Sequence, residues 1–195
     1  MKKFLVAVVV LSLASSMLFA SLMSFSLGAN MLNTTDYSAL TEENLFDPEA
    51  LRFGAETRLS VLFAEAALSG LYNPTSNAVA VVDGIATIGI KMSLFNLIHF
   101  GVGMGPVFGV SQNTDGLALM YVDDGAYTAD TLEGVINKSE IAYRAHADMK
   151  LGRLSFGMTY QVPTDGFTIE NSSPLKLVPQ WDNAKLGASV MFWLF

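Results

Sequence analysis

The segment IAYRAHADMKL, residues 141–151, is a strand by its period. In an extended chain successive side chains point to opposite faces. Ile141, Tyr143, Ala145, Ala147, Met149 and Leu151 therefore share one face, which is wholly apolar. Ala142, Arg144, His146, Asp148 and Lys150 share the other, and four of these five are ionisable. Such a strand borders two very different environments, and the same contrast recurs along the chain.

Working outward from it, the alternation predicts eight strands, at about 22–31, 50–61, 64–73, 84–94, 99–111, 140–151, 154–162 and 184–195. In the second, Leu51, Phe53, Ala55, Leu59 and Val61 oppose Arg52, Gly54, Glu56, Arg58 and Ser60. In the fourth, Ala86, Ile88, Ile90, Met92 and Leu94 oppose Thr87, Gly89, Lys91 and Ser93. Residues 92–110 contain no acidic or basic group except His99, which is the hydropathy of a spanning helix. Gly101, Gly103, Gly105, Gly109 and Pro106 disqualify a helix, so the stretch reads as a turn and a strand.

Connections alternate in length. Short turns fall near Leu62-Phe63, Asn96-Leu97 and Gly152-Arg153. Long polar segments occupy 32–49, 73–83, 112–139 and 163–183, with turn signals at Asp83-Gly84, Asp115-Gly116, Asp124-Gly125 and Asp165-Gly166. Residues 128–137 are expected to form one or two helical turns starting at Asp130. Short turns at one rim and long loops at the other fit an even-stranded, antiparallel, up-and-down transmembrane barrel of all-β class, with both termini on one side.

Compartment follows from the N-terminus. Met1-Lys2-Lys3 is a basic start, residues 4–13 are apolar, and Leu18-Phe19-Ala20 supplies a cleavage site. The expected division is a signal peptide over 1–20 and a barrel domain over 21–195. Removing two of the eleven basic residues leaves nine against eighteen acidic ones, a net charge of −9. That balance excludes nucleic acid as a partner, which demands basic patches. Without cysteine, no disulfide braces the fold.

A soluble exported barrel of the lipocalin type would place its apolar faces inward. Here the polar faces are mostly Gly, Ser and Thr with a few charges, which suits the narrow interior of eight strands. The apolar faces carry Leu, Ile, Val, Met and Phe, as lipid contact requires. Outer-membrane lipid is therefore the expected surrounding, and a monomer the expected state.

The last segment, ASVMFWLF at residues 188–195, resembles the terminal strand of bacterial outer-membrane barrels. The chain as a pattern is similar to the small OmpA/OmpX-type and OmpW-like barrels. That resemblance implies a terminal assembly signal at Phe195, read by the barrel-assembly machinery. Strict alternation from Phe195 puts Ser189, Gly187 and Lys185 on its face, while Leu186, Ala188, Val190, Phe192 and Leu194 form the apolar one. A bulge near Met191 is expected to reconcile the two.

Inward positions gather Arg52, Glu56, Arg58, Glu65, Lys91, Arg144, His146, Asp148 and Lys150. Charges in a low-dielectric interior must pair, so these residues are expected to plug the lumen, with Arg52, Arg58 and Arg144 pairing to Glu56 and Asp148. A narrow pore is the alternative. His146 and Asp148, with His99, lack an adjacent Ser for acyl transfer, so no catalytic, metal or cofactor site is expected. The functional expectation is a structural or surface-interaction role, adhesin- or antigen-like, through acidic outer loops binding a host or envelope ligand. The alternative, which OmpW-like barrels imply, is a porin-like path for small hydrophobic molecules. Polar rim positions Asn30, Arg52, Ser111 and Gln161 favour the first, while Phe46, Leu119, Met120 and Tyr121 are candidates to line an apolar mouth. Sequencing the N-terminus of the exported protein should return Ser21; an unprocessed Met1 would contradict the export reading.

Overall fold

The computed structural model describes residues 23–73, 81–113, 116–123 and 126–195. The expected leader at 1–20 and the Asp124-Gly125 turn lie outside them. Ten strands are present among the described residues: β1 (Met23–Asn33), β2 (Leu51–Val61), β3 (Ala64–Asn73), β4 (Val81–Leu94), β5 (Ile98–Asn113), β6 (Gly116–Asp123), β7 (Ala126–Asp130), β8 (Ile141–Leu151), β9 (Leu154–Pro163) and β10 (Lys185–Trp193), with one helix, α1 (Leu132–Lys138).

Eight of these strands close a barrel. The wall runs β1-β2-β3-β4-β5-β8-β9-β10 and returns to β1, antiparallel at every pairing. Closure leaves no wall strand with an unpaired edge. The eight sequence-derived strands are these eight. The other two, β6 and β7, form a hairpin above the rim within the long polar segment 112–139. It pairs to the upper part of β5, at Gly109–Asn113, where β8 no longer reaches.

The rims differ as the loop lengths imply. At one end, tight turns join β2 to β3, β4 to β5 and β8 to β9, with Leu62, Phe95, Asn96 and Gly152 in the left-handed region that tight hairpins use. Met23 and Trp193 come to this end too, since β1 and β10 pair antiparallel with Ser26 opposite Trp193. The other end carries the long connections. Asp83-Gly84 belongs to strand β4, not to a turn, because the β3–β4 ladder continues through Asn73 and Val81. Helix α1 starts later than the expected Asp130. The hairpin claims residues 126–130, and the Thr131 side chain then caps the helix by accepting the Gly134 N–H at 3.2 Å.

The alternation resolves into an apolar outside and a polar inside. Ile88, Ile90 and Met92 are 75%, 63% and 62% exposed on the outer face, while Glu56, Arg58 and Asp148 are at most 2% exposed within. No bulge interrupts β10. Its register is continuous against both β1 and β9, so Lys185, Gly187, Ser189, Met191 and Trp193 all face inward. Phe195 lies beyond the strand and joins the outer face, its ring 6.2 Å from that of Phe25. The conflict read in the sequence thus dissolves at the strand end.

Trp193 reports this register. With Trp181, which is 60% exposed, replaced by Phe, the remaining Trp193 fluorescence should be quenched neither by aqueous iodide nor by a brominated detergent. Strong quenching by the detergent would place the indole outside and restore the bulge.

Candidate functional site: the ion cluster inside the barrel

Eight strands enclose a space just wide enough for side chains to fill. Three groups of side chains occupy it. Midway along, the Arg58 guanidinium lies between strands, its Nε donating to Glu56 Oε1 and its Nη1 to Asp148 Oδ2. Its Nη2 donates to Ser189 Oγ at 3.3 Å. Arg144 approaches the same Glu56 oxygen at 2.6 Å. His146 places Nε2 2.6 Å from Glu65 Oε1 and Nδ1 2.6 Å from Asp148 Oδ2, with Arg58 Nη1 2.8 Å from Nδ1. In the Nε2–H tautomer and in the imidazolium alike, Nε2 donates to Glu65. Nδ1 accepts from Arg58 when neutral and donates to Asp148 when protonated.

Two glycines make room for this cluster. Gly101 is paired with His146, and a Cβ there would fall within the imidazole ring. Gly157 on β9 stands in the same relation to the Asp148 carboxylate. His146 and Asp148 thus each face a position stripped to backbone, which is how a narrow interior admits them.

Towards the short-turn end, Lys91 donates to Ser24 Oγ at 2.7 Å, and Lys91 and Lys150 lie 5.1 and 4.4 Å from the Trp193 ring centre. His99 packs on the same indole at 4.9 Å, and the indole N–H donates to Ser155 Oγ at 2.8 Å. Cation–π contact takes the place of carboxylates for these two lysines.

Of the sequence-derived charges, Glu56, Arg58, Glu65, Arg144, His146 and Asp148 are brought together, Lys91 and Lys150 form the separate group on Trp193, and Arg52 stands apart from both. That residue lies higher, and its Nη1 donates to the backbone carbonyls of Glu49 at 2.7 Å and Leu51 at 3.4 Å instead of to Glu56 or Asp148. It is the second residue of β2, too far along the strand to reach Glu56. Trp193 and Ser189 are interior partners absent from the sequence-derived set because the register of the last strand left their face open, and Ser24 on β1 is absent because that set was drawn from ionisable groups.

The upper mouth is less polar than Asn30, Arg52, Ser111 and Gln161 imply, since Leu32, Leu71, Ile85 and Val107 also line it. Met120 is buried on β6 beside Ser111, whereas Phe46 is exposed. Above the wall, Tyr127 donates to Asp83 and has its pKa pushed up to about 12 by burial and by that bond. Burial raises Glu140 as well. The exposed Asp130–Lys138 bridge at 2.8 Å lowers the aspartate and raises the lysine. Among the described residues no group of His, Cys, Asp or Glu is placed to hold a metal ion, and His146 has carboxylates and Arg58, not a serine, on its ring nitrogens.

No family model matches the chain, and no curated protein is detectably similar to it. What the chain shares with small outer-membrane barrels is the closed eight-stranded architecture.

Removing one partner of a buried charge leaves the others uncompensated, at about 3–5 kcal/mol. Arg58→Met should lose that much in urea unfolding of the refolded barrel. Adding Glu56→Gln and Asp148→Asn should return a large part of it. Equal losses in the single and triple variants would show that Arg58 acts through volume alone.

Proposed function

We propose that this protein is an outer-membrane barrel that does not conduct, and that it serves as a rigid frame presenting an acidic surface. One observation carries the reading: the barrel is inside-out, with buried ion pairs within and large apolar side chains exposed around it. A water-exposed barrel gains nothing from such an outer face, whereas a bilayer makes it the favoured surface. Inward charges then act as filling. Arg58, Glu56, Asp148, His146 and Glu65 span the interior from β2, β3 and β8, so no continuous aqueous path is left between them.

Charge is divided between the two ends. Among the described residues every carboxylate outside the interior lies towards the long connections, including Glu42, Glu43, Asp47 and Glu49 in one of them and Asp165, Glu170 and Asp182 in another. The short-turn end has Arg153 and apolar turns, with Phe95 97% exposed. In the proposed orientation the short turns are periplasmic, and the acidic end faces outward to meet a ligand. Binding residues concentrate on loops held by rigid frames. Phe195, at the end of the closing strand, is the proposed assembly signal.

In a planar bilayer the refolded protein should give little or no steady conductance, and on a denaturing gel its mobility should change on heating. In cells it should fractionate with the outer membrane. A large, stable single-channel current would overturn the closed frame, and recovery in the soluble periplasm would overturn the membrane assignment.

A further inference from the structure

We propose that the upper mouth of the barrel is a binding site for a small amphiphilic anion, a monocarboxylate with a short apolar tail. A cavity of about 200 Å³ lies inside the wall above the ion cluster. Leu71, Ile85 and Val107 form an apolar side, and Arg52 and Lys185 also line it. Arg52 is only 9% exposed, and its Nη1 donates to two backbone carbonyls, those of Glu49 and Leu51. Among the described residues neither it nor Lys185 has a carboxylate within ion-pair distance. Asp83 is, among the described residues, the sole carboxylate lining the cavity, and it is occupied by the Tyr127 hydroxyl and, at 2.9 Å, by the Asn73 amide.

A guanidinium this buried calls for an anion, because a charge in a low-dielectric site is costly unless paired. Its planar fork matches a carboxylate in geometry as well as charge. Beside it, the aliphatic wall accepts a hydrocarbon tail. The volume sets the size: at ~30 Å³ per water-sized unit it holds about seven such units, the scale of a monocarboxylate with a short tail such as hexanoate. That is smaller than the ligands of ordinary drug-sized pockets, at about 300–1,000 Å³. The site is built by the inward faces of the wall strands and roofed by Val122 and Tyr127 of the β6–β7 hairpin, and it is distinct from whatever the acidic connections bind.

Hexanoate titrated into the full refolded chain in detergent tests it, followed by NMR at the Arg52 Nε–H and at the Leu71, Ile85 and Val107 amides. Saturable shifts at these positions are expected, with hexanamide and hexylamine binding at least about tenfold more weakly, the worth of a hydrogen bond to a charged group. Arg52→Gln should weaken hexanoate binding by a similar factor, and Lys185→Gln should also weaken it. The wild-type comparison of the three ligands decides the matter even if a variant fails to fold. Equal affinity for hexanoate and hexanamide would overturn the anion assignment. Unsaturable shifts confined to the outer face would show partition into detergent and overturn the site.

Discussion

Everything in this structure is subordinate to the narrowness of an eight-stranded wall. Closing the sheet through β1 and β10 satisfies the backbone but leaves an interior one layer of side chains deep on each side. In the proposed closed barrel little room is left for water, so charged groups within it must satisfy one another. Arg58 meets two carboxylates, Arg144 shares one of them, and His146 ties the second to Glu65. Ion pairs of this kind add little net stability against an apolar filling. Their value is in fixing the register: a one-residue slip of β8 would send Arg144, His146 and Asp148 to the outer face together.

Much of this was legible in the sequence because the period-2 signal is strong and the two faces differ so sharply. All eight wall strands, their alternating connections and most of the interior charges follow from alternation alone. The failures are instructive. Arg52 falls on the inward face with Glu56 and Arg58, yet alternation fixes a face and not a height, and Arg52 sits at the rim. Trp193 escaped because a terminal Phe was read in phase with the strand, when Phe195 lies past its end. The β6–β7 hairpin was hidden because it carries no core of its own; it extends β5 beyond the point where β8 starts. Apolar residues at the mouth, such as Leu71 and Ile85, look like breaks in the polar face until the strands are aligned.

The glycines show how local sequence serves distant chemistry. Gly101 and Gly157 are weak strand formers taken singly, and no turn requires them. Each stands across a strand pair from a side chain that needs its volume, His146 and Asp148 respectively. The packing of the cluster is thus written on β5 and β9 as much as on the strands that supply the charges. A rigid frame follows from this, and it supports the proposed separation of roles, in which the wall holds position while the acidic connections and the amphiphilic mouth engage other molecules.

The Arg58 side chain is the most direct witness to that account. In a dry, paired interior, the Nε–H of Arg58 should give a resolved ¹⁵N–¹H NMR resonance, displaced by its bond to Glu56 and exchanging slowly with solvent deuterium. A rapidly exchanging Arg58 signal, averaged like that of a surface arginine, would show that water threads the barrel and would contradict the closed frame.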